Sequence, residues 1–126
     1  EDSCFTLTFD GTYIYAGLDT TPAKVIKINP NTMTTVSTWT GASEEDNCRA
    51  LTFDGTYIYA GLDTTPAKVI KINPNTMTTV STWTGASEED NCWALTFDGT
   101  YVYAGLYTTP AKVIRKIFRD ISETGT

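Results

Sequence analysis

The stretch LTFDGTYIYAGLDTTPAKVIKINPNTMTTVSTWTGASEEDNC fills positions 7–48, recurs letter for letter at 51–92, and begins a third time at Leu95. Cys4, Cys48 and Cys92 are therefore 44 residues apart, as are Phe9, Phe53 and Phe97, and Pro22, Pro66 and Pro110. A fixed period of that length belongs to solenoids and to radial arrays of small sheets. Helical repeats need apolar residues three and four apart over long runs. This text is instead dense in Thr, Tyr, Val, Ile and Trp, with turn residues every 8 to 12 positions, so the unit is built of β-strands.

Within the second copy the pattern predicts four short strands. Ala50 to Asp54 forms the first and ends in the turn Asp-Gly-Thr. Tyr57 to Asp63 forms the second and is stopped by Thr-Thr-Pro, where Pro66 removes a ladder donor. Ala67 to Ile72 forms the third, followed by the reversal Asn-Pro-Asn-Thr, and Met77 to Thr84 forms the fourth. Alternation sets Leu51 and Phe53 against Ala50 and Thr52, and Tyr57 and Tyr59 against Ile58 and Leu62, with neither face charged. A sheet packed on both faces sits between two others. Four antiparallel strands in about 44 residues is the signature of a propeller blade.

The text ALTFDGTYIYAGLDTTPAKVIKINPNTMT resembles the blade repeats of YVTN and NHL-like propellers, in which a D-G-x-x-(I/V)-Y turn and strand precedes V-x-K-I-(D/N). The likeness extends through Ile117. It implies the fold and leaves activity open, because such blades serve lectins, adhesins, surface-layer proteins and some enzymes. The Trp-Asp end mark of WD40 blades is missing, since Thr84 follows Trp83.

The expected architecture is all-β: a β-propeller of three four-stranded antiparallel blades in one repeat domain, 1–126, with blades near 4–47, 48–91 and 92–126. The last blade loses or remakes its outer strand, because the tail from Arg115 to Thr126 departs from the repeat. Three blades cannot close a ring that usually takes 4 to 8, and an open arc exposes two apolar faces. Two chains closing a six-bladed ring is the leading expectation. A nine-bladed trimer and a piece of a longer array are the alternatives.

Composition limits the function. The net charge of −6 repels phosphate backbones, which argues against nucleic acid, and no apolar run reaches membrane-spanning length. The chain has no histidine, which removes the commonest general base and the imidazole metal ligand. Identical copies also make like environments, whereas paired acid and base groups need unlike ones. The expectation is a non-enzymatic, multivalent binding or attachment protein without cofactor or metal. Its partner would be a glycan or surface protein met outside the cell or on a virion; the competing reading is a structural or engineered self-assembling scaffold with no ligand.

Candidate binding residues cluster beside one loop. Trp39 and Trp83 end the fourth strands next to Gly-Ala-Ser-Glu-Glu-Asp-Asn, where an indole face could stack on a pyranose while Asp46, Asn47, Asp90 and Asn91 take its hydroxyls; packing between blades is the competing role for both rings. The acidic loops offer three carboxylates and an amide within five residues, but in no calcium-ligand register, and read as solvated. Arg49 and Trp93, with Phe5, break the symmetry at one position, and Asp19, Asp63 and Tyr107 at another. Asp10, Asp54 and Asp98 read as hairpin-turn residues. The three cysteines read as small buried hydrophobes.

Overall fold

The computed structural model describes residues 3–116. Eleven strands lie in this range: β1 (Cys4–Phe9), β2 (Ile14–Leu18), β3 (Lys24–Asn29), β4 (Thr34–Thr40), β5 (Cys48–Phe53), β6 (Ile58–Leu62), β7 (Lys68–Asn73), β8 (Thr78–Thr84), β9 (Cys92–Phe97), β10 (Val102–Leu106) and β11 (Lys112–Lys116). They form antiparallel meanders β1-β2-β3-β4, β5-β6-β7-β8 and β9-β10-β11. Each is one blade. The tail beyond Lys116, where the last blade's outer strand was expected to be lost or remade, lies outside the described residues.

Each β1–β2-type hairpin is closed by its turn aspartate. Asp10 Oδ1 accepts the N–H groups of Thr12 and Tyr13 at 2.8 and 2.6 Å, and Oδ2 accepts the Tyr15 hydroxyl at 2.7 Å. Gly11 supplies the φ of +98° that a Cβ would oppose. Asp54 and Asp98 repeat the arrangement.

The inner strands begin two residues earlier than alternation indicates, because each carries a bulge. Cys4 pairs with Leu18 and Thr6 with Gly17, which leaves Phe5 unpaired; Arg49 and Trp93 occupy the same place in β5 and β9. A bulge re-aims its side chain, so these three residues leave the blade and project at its rim.

The blades pack face on face. Tyr15, Ala23, Val25 and Trp39 of the first blade meet Cys48, Leu51, Ile58, Ile72 and Met77 of the second. Tyr59, Ala67 and Val69 of the second then meet Cys92, Val102, Ala104 and Leu106 of the third. Tyr59 and Ile58 thus serve opposite joints, as alternation requires. The first strands β1, β5 and β9 contact one another in sequence, which makes them the innermost.

Glycine sets how closely the blades approach. A Cβ on Gly17 would lie 2.6 Å from Cys48 Sγ, and one on Gly61 would lie 2.5 Å from Cys92 Sγ. Each of these two cysteines therefore fills a notch in the blade before it. Lysine spans a joint as well: buried Lys27 donates from Nζ to the Pro74 carbonyl at 2.8 Å, while its charge lies 4.3 Å from the Tyr13 ring centroid.

Candidate functional site

The starts of β1, β5 and β9, the segments following β2 and β6, and the acidic loops all come to one rim. Arg49 lies between two rings there, its guanidinium 4.3 Å from the Phe5 centroid and 4.1 Å from that of Trp93. Tyr107 stacks on Trp93 with centroids 3.8 Å apart and planes 5° from parallel. Two groups cannot cover one indole face at such distances, so Arg49 and Tyr107 take opposite faces. The result is a row, Phe5, Arg49, Trp93, Tyr107, that crosses all three blades. Asp63 ties it down: its Oδ2 lies 3.3 Å from Arg49 Nη1, and its Oδ1 accepts Asn91 Nδ2 at 2.7 Å.

Both symmetry-breaking positions noted in the sequence thus converge on one structure. Their proximity needs the bulge to bring one residue out of the ladder and the end of the second strand to lie beside it. Neither follows from the repeat period. Phe5 and Tyr107 are the members that site reasoning from the sequence did not select.

The remaining candidates divide. Trp39 is only 2% exposed, packed in the first joint, and donates from Nε1 to Thr79 Oγ1 of the next blade at 2.9 Å. Its ring serves packing, so it offers no face to a sugar. Trp83 packs half-buried against the second joint. Asn47, with its amide turned so that nitrogen faces acceptors, donates to Asp19 Oδ1 at 2.9 Å and to the Thr20 carbonyl at 3.2 Å. Asp46 and Asp90 are half-buried beside the joints, and Asp46 Oδ1 is shielded without a hydrogen-bond partner.

The acidic loops are structural turns. Glu45 Oε1 accepts the Ala42 N–H at 2.9 Å, and the Glu45 carbonyl accepts the Ala23 N–H at 2.8 Å, which pins the loop to the segment after β2. Glu89 repeats both bonds with Ala86 and Ala67.

Among the described residues, two blade faces stay open. Leu7 is 64% exposed although its equivalent Leu51 is 7% exposed; Val113 is 73% exposed although Val69 is fully buried. The first blade's open face holds an apolar recess of about 510 Å³ lined by Leu7, Thr8, Phe9, Ile14 and Pro30.

No protein-family model matches the chain, and no curated protein matches it in sequence. Solved structures do match in fold. The β-propeller domain of Cps50 (Swd1) from Myceliophteria thermophila superposes with a TM-score of 0.65 at 14% identity, over 99% of this chain and 42% of that one. The WD40 repeats of RRP9 give a TM-score of 0.68 at 15% identity, over 93% and 39%. The computationally designed Ika4 protein gives 0.65 at 17% identity, over 90% and 64%. The chain spans less than two thirds of each of these structures. The YVTN and NHL-like character rests on the sequence motifs alone, whereas the neighbours include WD40 domains. What they share with this chain is its architecture, three consecutive blades of a β-propeller.

Proposed function

We propose that the chain is a non-enzymatic interaction module of near-identical propeller blades whose first partner is a second copy of itself, two chains closing a six-bladed ring. The observation that carries this reading is the contrast between identical residues. Leu7 and Val113 are open where Leu51 and Val69 are buried, and among the described residues no blade covers either of them. The entering face of the first blade repeats the residues that meet a preceding blade at the inner joints, and the leaving face of the third has Tyr103, Ala111 and Val113 where the inner joints use Tyr59, Ala67 and Val69. Burying each such side chain is worth about 1.5–3 kcal/mol.

The matching extends to polar groups. Lys27 reaches the Pro74 carbonyl across the first joint, and Arg115 occupies the lysine's place in the third blade, facing where Pro30 of a second copy would lie. Cys4 is exposed, and nothing closer than Ala94 Cβ at 3.5 Å occupies the space at Gly105. A head-to-tail contact of this kind closes into a ring when its rotation divides the circle. Six blades falls inside the usual range. A closed ring would display the rims of two chains together, and attachment to a surface protein outside the cell or on a virion is the use such multivalent display serves.

Light scattering on a sizing column over a dilution series tests the ring, with Gly105→Ala as the second sample. The expected result is a mass of twice 13.8 kDa for the wild type and a folded monomer for Gly105→Ala. Three times the chain mass would replace the ring with a nine-bladed trimer. A wild-type monomer at every dilution would overturn self-closure and leave the faces to blades of a longer array.

A further inference from the structure

At the rim, an aspartate and an asparagine bridge each joint within the chain. Asn91 Nδ2 of the third blade donates to Asp63 Oδ1 of the second at 2.7 Å. Asn47 of the second blade donates to Asp19 Oδ1 of the first at 2.9 Å. Backbone bonds accompany both, from the N–H of Asn47 to the Thr20 carbonyl at 2.9 Å and from that of Asn91 to Thr64 at 2.8 Å.

The joint between two copies would set position 107 against position 3. There the chain has Tyr107 in place of aspartate and Ser3 in place of asparagine. Both partners of the same bridge are replaced together, and their sizes compensate: the tyrosine is larger than the aspartate, the serine smaller than the asparagine. Through Ile114 the copies differ at only five repeat positions, and Ser3, Phe5 and Tyr107 belong to three of them.

The stacking row adds a direction. Successive residues at the bulge position cover one another, Phe5 against Arg49 and Arg49 against Trp93. The next in line after Trp93 is Phe5 of a second copy, but Tyr107 already lies on that face of the indole and is itself 63% exposed.

Resting on the ring proposed above, we infer that Tyr107, Ser3 and Phe5 make the joint between copies chemically distinct from the joints inside each chain. Phe5 of the second copy lies on the open face of Tyr107, and its Ser3 leaves the room that the phenol ring needs. The row then runs unbroken around the rim. Stacked aromatic rings attract beyond the area they bury, in a form that salt does not screen.

A double-mutant cycle on the dimer dissociation constant tests this. Ser3→Asn crowds the phenol, and Tyr107→Asp leaves a carboxylate facing serine; each single change is expected to weaken association about tenfold. Combining them rebuilds the Asp and Asn pair of the inner joints, and association is expected to return to within about threefold of wild type. Trp93 fluorescence follows the same samples and should respond to association while Tyr107 is present. Additive losses in a wild-type dimer overturn the pairing and spare the ring. A wild-type monomer overturns the ring, and the pairing with it.

Discussion

Cys48 Sγ lies 2.6 Å from the point a Cβ on Gly17 would occupy, so sulfur in one blade fills the space that hydrogen leaves in the blade before it. Gly61 and Cys92 repeat the relationship at 2.5 Å. At 3.5 Å from Ala94 Cβ, a side chain on Gly105 would make only ordinary contact within its own chain. One substitution thus has two different consequences. Gly61→Ala overpacks the second joint and is expected to lower chain stability by about 1–3 kcal/mol. Gly105→Ala is expected to leave the monomer's unfolding midpoint unchanged. Replacing Cys92 by Ala alongside Gly61→Ala removes the clashing sulfur and should restore part of the loss. Urea unfolding of the four proteins measures this, and equal effects at Gly61 and Gly105 would contradict the notch.

The thiols should separate in the same way. Cys4 is exposed, whereas Cys48 and Cys92 are buried and none is disulfide-bonded. Burial pushes the Cys48 thiol well up and that of Cys92 up to about 12, so neither offers thiolate at neutral pH. A thiol reagent is expected to modify Cys4 quickly in dilute native protein and the other two only on unfolding. Peptide mapping after brief labelling checks the order. Protection of Cys4 as concentration rises would report the joint between copies.

Much of this architecture is legible in the sequence because strand alternation and turn chemistry are local. Leu51 against Ala50 and Tyr59 against Ile58 give the two faces, and Asp-Gly gives the hairpin. The rim is not legible in that way. Arg49 leaves the ladder through a bulge that inserts a residue between Cys48 and Ala50, and the alternation of Ala50 to Asp54 carries no sign of it. Trp39 lies next to a loop in sequence, but the following blade covers it and offers Thr79 to its N–H. Which ring is available depends on the neighbouring blade, and that is information the repeat unit alone does not contain.

Trp39 should therefore matter to stability. Trp39→Phe keeps an aromatic ring but removes the donor to Thr79 Oγ1 and leaves a void beside Val25 and Met77. The lost bond is worth about 0.5–1.5 kcal/mol, and the unfilled volume adds to it. The expected outcome is a destabilisation of about 1–3 kcal/mol with no change in the far-ultraviolet spectrum. A surface tryptophan would show almost none.

Acid should loosen the hairpins that Asp10 and Asp98 close. At Asp10, burial pushes the carboxyl up, but the Tyr13 N–H, the Tyr15 hydroxyl, the Thr12 N–H and nearby Lys27 together outweigh it and hold the group below its usual value of 3.8. At exposed Asp98 the Tyr101 N–H, then the Tyr103 hydroxyl and the Thr100 N–H, act in the same direction. A carboxyl depressed in the folded state contributes stability that is complete above its unfolded value and is lost as pH falls through the folded one. Stability is thus expected to hold flat from neutrality to about pH 4.5 and to fall below about pH 4. Asp10→Asn keeps an acceptor for the backbone N–H groups but cannot titrate. It should start from a lower plateau and lose less between pH 4 and pH 2, on the order of half a unit of slope in bound protons. Chemical unfolding at a series of pH values reads that slope directly. A slope identical to wild type would mean that the Asp10 carboxyl is no more acidic folded than unfolded.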